Sequence, residues 1–356
     1  MFIDTLKIAG AICSYLIGGG FASGQELLQY FASYGLWGIG AVLVAFAIMV
    51  FCVVDFLKLG LTHNIENAHD AFAYYCGPKI GSCFEFIAFT YLIVQVVVFF
   101  TGAGATIAQG FGVTPFVGSA IMGTLVIVTV LLGLNRLIDI VGSLGVILVI
   151  MVVSIVGIFL LRNPAAVAEG SVQVQSMTIL QPSSSWAVSG FLYMTFNLLG
   201  LAAFMPLLGQ RSKNQKINVW GGVLGSAAFC GTIVLVMLAF LTDIGNVGTK
   251  MVPNLYIANQ IHPLLASSFS IVILLGIFTG CAPMYWNFCS RVIPEKNRWF
   301  KPFVFVLGCA GVVLGAILPF DKAINVIYQI YGYLGSAFLV FVIWRVYQNH
   351  KAKAGK

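Results

Sequence analysis

Ile17-Gly18-Gly19-Gly20-Phe21-Ala22-Ser23-Gly24-Gln25-Glu26 lies in the middle of the first apolar segment of a 356-residue chain. Four glycines within seven residues weaken a helix and free backbone groups that hydrocarbon cannot satisfy. The stretch therefore predicts a broken helix whose break faces protein or a water-filled cavity, the way many transporters build a site at mid-membrane.

The surrounding composition makes this a membrane question. Charged residues are 8% of the chain and hydrophobic residues 60%, where a soluble domain has roughly 25% charged. The chain is read as an all-α polytopic membrane protein. The first apolar segment is expected to be retained, since no small-residue cleavage site follows it. The net charge of +7 fits basic loops beside anionic lipid and gives no reason to invoke nucleic acid. The eight cysteines are scattered without CxxC or Cys/His spacing, so free, buried thiols are expected and no metal site.

Apolar runs of about 20 residues divide the chain into ten expected membrane helices, at 6–30, 37–58, 81–102, 115–134, 137–161, 186–208, 218–241, 264–289, 299–318 and 323–347. With the N-terminus inside, 15 of the 18 Lys and Arg residues fall on the cytoplasmic side, and only Arg162, Lys250 and Lys322 fall outside. The positive-inside rule thus predicts cytoplasmic N- and C-termini in a multi-pass protein of the cell membrane.

Helix starts in the two halves differ by offsets running from 180 to 186 residues, which suggests a 5+5 inverted repeat. Residues 132–140 can be laid on 318–326, and Gly142-Ser143-Leu144-Gly145 on Gly332-Tyr333-Leu334-Gly335. The expected organisation is a first repeat at 1–161, an extracellular connector at 162–185, a second repeat at 186–347 and a basic tail at 348–356. An inverted repeat also predicts that helix 6 is discontinuous like helix 1, around 197–200, where Gly190 and Gly200 align with Gly10 and Gly20. The alternative is that these glycines allow close helix packing.

The run IGGGFASGQELLQYF at residues 17–31 resembles that of the YkvI-like membrane proteins, an amino acid permease branch of the amino acid, polyamine and organocation transporter superfamily. The resemblance implies a LeuT-type fold, with helices 1, 2, 6 and 7 as a bundle against a scaffold of 3, 4, 8 and 9. It also implies that Gly18-Gly19-Gly20 binds a substrate carboxylate through main-chain amides.

On the residues themselves, the expected substrate site combines Gly18, Gly19, Gly20 and Phe21 from helix 1 with Thr195, Phe196 and Asn197 from helix 6. Tyr91 and Gln95, one turn apart on helix 3, share its face. Ser23-Gly24-Gln25-Glu26 fits an S-x-x-E capping box, so Glu26 is a cap, a proton or cation site, or both. Thr279, beside Gly280, falls where LeuT-like sodium-coupled proteins place hydroxyl and carbonyl ligands. Coupling to Na+ with Thr279 as a ligand, coupling to H+ through Glu26 and uncoupled exchange are all left open, and no other cofactor is expected. Asp55, Glu85 and Asp139 lie nearer helix ends and suggest structural roles. The functional expectation is a non-enzymatic secondary transporter of amino acids or related small amines, working by alternating access. A membrane ligand sensor on the same fold is the alternative. Oligomeric state cannot be read.

Overall fold

The computed structural model describes residues 2–132, 138–212 and 214–354. The pairing of residues 132–140 with 318–326 and the charges Arg136, Lys213 and Lys356 lie wholly or partly outside them, and the side chains of Asp139 and Lys353 are not described.

The first apolar segment is divided into α1 (Phe2–Leu16), α2 (Gly19–Ser23) and α3 (Gln25–Tyr30). A 3-10 turn at Ala32–Trp37 leads into α4 (Gly38–Thr62). The next helix, α5 (Ala68–Phe111), is much longer than the expected 81–102. Its start is fixed by a capping box between Asn67 and Asp70. Its first turns are set off by Gly77, whose φ of 76° only glycine adopts readily, ahead of Pro78. Then come α6 (Pro115–Leu132), α7 (Ile138–Arg162) and a short α8 (Ala166–Gln173). The second half contains α9 (Trp186–Gln210), α10 (Gln215–Leu241), the short α11 (Ile244–Val247) and α12 (Pro253–Ile261), then α13 (Pro263–Val292), α14 (Phe300–Ile317) and α15 (Phe320–Ala354).

Among the described residues, eight helices are long and apolar enough to cross a membrane. Two of the ten expected segments are not among them, for different reasons. The first is cut by its own glycines into pieces too short to qualify, and α7 adjoins the undescribed residues 133–137. Part of it joins α8 across a 99° bend to give a ninth candidate.

Two packed groups organise the molecule. In one, α4 runs along α9 and α1 along α10; in the other, α5 packs against α6, α13 and α14. The α4–α9 contact is close because small residues permit it: Gly60 lies against the Pro206 carbonyl, Gly190 against that of Ala41 and Gly209 against that of Leu57. Asn218 Nδ2 donates to Leu57 O at 3.1 Å on the same seam. The last helix, α15, lies against both α9 and α5.

The sequence reading requires two corrections here. Helix 6 is not discontinuous: α9 is helical throughout 186–210, with no departure around 197–200. The packing alternative accounts for its glycines, since a Cβ at Gly190 would meet backbone of α4 and one at Gly200 would meet the Tyr15 hydroxyl. Nor are all eight thiols buried, because Cys83 and Cys309 are exposed.

Candidate functional site

The break in the first segment has two departures from helix. Helix α1 ends as Gly18 N donates back to Leu16 O at 3.1 Å, and Gly18 takes extended backbone (φ −102°, ψ −167°). The chain turns helical again when Ala22 N donates to Gly18 O. It breaks once more at Gly24, whose φ of 84° is left-handed and whose missing Cβ leaves room for Phe240 and Asn254. Carbonyls freed at this second kink are met by protein, as a break at membrane depth requires. Asn254 on α12 donates to Phe21 O and Ala22 O at 3.3 and 3.0 Å, and Ser23 Oγ donates to Gly20 O at 2.7 Å.

The capping box predicted for Ser23 and Glu26 does not form. The N-cap of α3 is Gly24, with no side-chain cap. Ser23 Oγ accepts instead from Gln25 N, at 3.2 Å. Glu26, only 4% exposed, folds back over Gly20, so that a Cβ at residue 20 would strike its Oε2 and the Tyr328 hydroxyl. Its Oε1 accepts from Tyr193 Oη at 2.9 Å. Tyr328 in turn accepts from Gln95 Nε2 at 3.1 Å. Four helices thus contribute to one polar cluster: α3 with Glu26, α5 with Gln95, α9 with Tyr193 and α15 with Tyr328.

This cluster forms part of the wall of a cavity of about 430 Å³. From the first segment the wall takes Ser14, Tyr15, Gly18, Gly20, Phe21 and Glu26. The scaffold side supplies Tyr91, Gln95 and Phe99 of α5 and Gly276, Thr279, Gly280 and Met284 of α13. Helix α9 adds Phe196, Asn197, Gly200 and Phe204. Two ring pairs stiffen the wall, Tyr15 on Phe204 with centroids 4.7 Å apart and Phe196 on Tyr328 at 4.2 Å. Among the described residues, no Lys, Arg or His lines it.

Of the sequence-predicted residues, Gly18, Gly20, Phe21, Tyr91, Gln95, Phe196, Asn197, Glu26 and Thr279 come together around this cavity. Two do not. Gly19 faces away, its missing Cβ directed at Ile277 and Phe99. Thr195 turns toward α15 and donates to Gly332 O at 2.8 Å. Phase explains both: on a helix, consecutive side chains point about 100° apart, so a whole run cannot face one cavity. Asn197 spends its amide hydrogen on Tyr193 O at 2.9 Å, and Thr279 its hydroxyl on Gly276 O at 3.0 Å. The sequence reading missed Tyr15, Phe99, Phe204 and Tyr328. Tyr15 and Phe99 could have been found from spacing, because Tyr15 lies just ahead of the break and Phe99 one turn beyond Gln95. The α15 contribution had no local signal.

The cavity is sealed on one side and open on the other. Beyond Gly20, every residue from Phe21 to Ser33 is buried, with Tyr30, Phe31 and Ala32 fully so. That side is closed by α12 and by the connector: Gln181 donates to Ser33 O, Ser189 on α9 to Tyr30 O, and Gln109 and Val252 exchange two hydrogen bonds. On the opposite side Ser14 is exposed and Tyr15 is 37% exposed while lining the cavity. The acidic residues expected near helix ends have local partners: Asp55 accepts from Tyr75, and Glu85 meets both His69 and Arg291.

No family model matches the chain. It is similar to the uncharacterized membrane protein YkvI of Bacillus subtilis (strain 168), 22% identical and covering 94% of this chain and 93% of that one. It is also similar to the uncharacterized protein YyaD of the same organism, 24% identical over 93% and 94% of the two chains. Among solved structures, the inward-facing conformation of Mhp1 matches with a TM-score of 0.61 and 16% identity, over 95% of this chain and 75% of that one. Mhp1, a nucleobase-cation-symport-1 family transporter, in a closed conformation with bromovinylhydantoin bound gives 0.54 at 14% identity, over 94% and 77%. A mutant manganese transporter of Eremococcus coleocola gives 0.53 at 13%, over 96% and 77%. The fold is therefore that of Mhp1, the LeuT type that the resemblance to YkvI-like proteins implies.

Proposed function

We propose that this chain is a secondary transporter that carries small amino-bearing solutes, amino acids or related amines, across the cell membrane by alternating access. The observation that carries the proposal is the one-sided cavity at the break of the first helix. A site at mid-chain depth, walled by both packed helix groups and closed on one face only, is what one half of an alternating-access cycle requires. The greater likeness to the inward-facing form of Mhp1 than to its closed form, 0.61 against 0.54, supports the same state.

On this reading the molecule has ten spans in two inverted repeats, 1–161 and 186–347, joined by an extracellular connector at 162–185 and followed by a basic tail at 348–356. Both termini are cytoplasmic, so the open face of the cavity, on the side of α1, is the inner one. Substrate is held among Gly18, Gly20, Phe21, Tyr91, Gln95, Phe196 and Asn197. Glu26 is the coupling residue: a carboxyl on an otherwise uncharged wall is costly to keep ionised without a partner, so it takes up either a proton or the cationic group of the solute. Thr279, on the facing scaffold, is the place for a Na+ contribution if the cycle uses one.

Uptake into proteoliposomes is the test. The purified chain should concentrate a solute that also raises its melting temperature in detergent, since a ligand stabilises the state it binds. A chain that binds such a solute but moves none of it would be a sensor instead.

A further inference from the structure

Resting on the transport reading, the chemistry of the cavity narrows the solute further. Among the described residues that line it, the one buried side-chain polar atom without a partner is an acceptor. Gln95 is 5% exposed and gives one amide hydrogen to Tyr328, so the proton of that hydroxyl is left for the Glu26 carboxylate beside it. The Gln95 Oε1 is then a buried acceptor with no partner, on a side chain that lines the cavity. Asn197 likewise donates one amide hydrogen to its own helix and keeps its oxygen for the cavity. Together with the Glu26 carboxylate these are acceptors, and an ammonium, with three donors and no acceptor, is their complement.

A carboxylate on the solute would find the opposite. Among the described residues, no cationic side chain lines the cavity. At Gly20, the cavity-lining glycine of the break nearest the cluster, the Cβ position is already taken by Glu26 Oε2, so a solute carboxylate there would meet another carboxylate. In an α-amino acid the two charged groups share one carbon, so seating the ammonium on Glu26 would bring the second carboxylate close to the first, and like charges within a few ångströms repel. The remaining wall is aromatic, with Tyr15, Tyr91, Phe99, Phe196, Phe204 and Tyr328 on it. Such rings attract a cation through their faces and pack against flat apolar groups.

We propose that the solute is a monocationic organic amine with a flat apolar body and no carboxylate of its own, its ammonium seated between Glu26 and Gln95. This departs from the zwitterion that the glycine run suggests.

The test uses the full chain in detergent and in proteoliposomes with four probes of one skeleton: phenethylamine, phenylalanine, phenylacetate and 2-phenylethanol. Phenethylamine should bind at least tenfold more tightly than phenylalanine, and phenylacetate should not bind. Glu26→Gln, whose amide oxygen can still accept from Tyr193, should lose at least tenfold in phenethylamine affinity while keeping its helical content and elution profile. The wild-type series decides by itself if that variant does not fold. Phenylalanine binding as tightly as phenethylamine, 2-phenylethanol matching it, or no binding by any of the four would overturn the assignment. Accumulation of phenylalanine without phenethylamine would refute the amine and leave transport standing. Phenethylamine that binds but never crosses would refute transport and leave the amine.

Discussion

The first apolar segment and α9 both carry glycines within an apolar stretch, yet only the first breaks. Around Gly18–Gly24 the glycines are clustered, and two of them take conformations or contacts that a side chain would forbid. Gly24 is left-handed, and Gly20 is pressed by a carboxylate. In α9 Gly190, Gly200 and Gly209 are nine or ten residues apart, each in ordinary helix, and each serves a neighbour: Gly190 and Gly209 the backbone of α4, Gly200 the hydroxyl of Tyr15. An isolated glycine costs a helix only about 1 kcal/mol relative to alanine, which the packing it permits can offset. The break needs the cluster together with groups such as Asn254 and Ser23 to take up freed carbonyls.

This contrast can be broken most forcefully at Gly20. Gly20→Val puts methyl groups into the position of Glu26 Oε2 and the Tyr328 hydroxyl and should abolish solute binding, measured by calorimetry on protein that still elutes as folded. Gly190→Val in α9 should act on stability instead. Its side chain meets Ala41 backbone, an overpacking expected to cost about 1–3 kcal/mol, read as a lowered melting temperature with solute affinity retained. If Gly190→Val removed binding while Gly20→Val kept it, the roles given to the two segments would be reversed.

Asn254→Ala sharpens the comparison by attacking what completes the break. Two buried carbonyls would lose their donor, at about 1–3 kcal/mol, and the outer closure that α12 provides would weaken. Accelerated hydrogen exchange confined to α2, α3 and α12 is the expected signature. A smaller effect should follow Gly200→Ala, because its Cβ would meet only the end of a flexible tyrosine; stability should stay within about 0.5 kcal/mol.

Acid should act through Glu26. An ammonium needs the carboxylate ionised, so phenethylamine binding should weaken as pH falls, and Glu26→Gln should flatten that dependence. Among the described residues, the other titratable groups near Glu26 are Tyr30 on α3, Tyr91 on α5, Tyr193 on α9 and Tyr328 on α15. As phenols they ordinarily ionise near pH 10 and do not compete in the acid range.

Fold class was legible because hydropathy and charge asymmetry are summed over the whole chain, and single ambiguities cancel. The break was legible at Gly18–Gly24 because backbone chemistry is local. What sequence did not reveal depends on rotation and on partners distant in the chain. Gly19 and Thr195 sit one residue from cavity-lining neighbours and face elsewhere, which only the phase of their helices decides. Tyr328 reaches Gln95 across 233 residues, and no spacing rule announces it. Glu26 fits the S-x-x-E pattern, yet the left-handed Gly24 takes the capping position and leaves the carboxylate free to cover Gly20. Of the two readings the sequence left open for Glu26, the capping one fails because a glycine occupies the N-cap.

The central claim is a cavity at the helix 1 break that opens to the cytoplasm and is closed outside. Its most direct measurement is the reaction of a single cysteine at position 14, introduced as Ser14→Cys into a cysteine-free background, with a membrane-impermeant thiol reagent. The account predicts rapid modification in inside-out vesicles, slow modification in right-side-out vesicles, and protection by bound phenethylamine. Rapid modification from the outside alone, or equal rates from both sides, would contradict it.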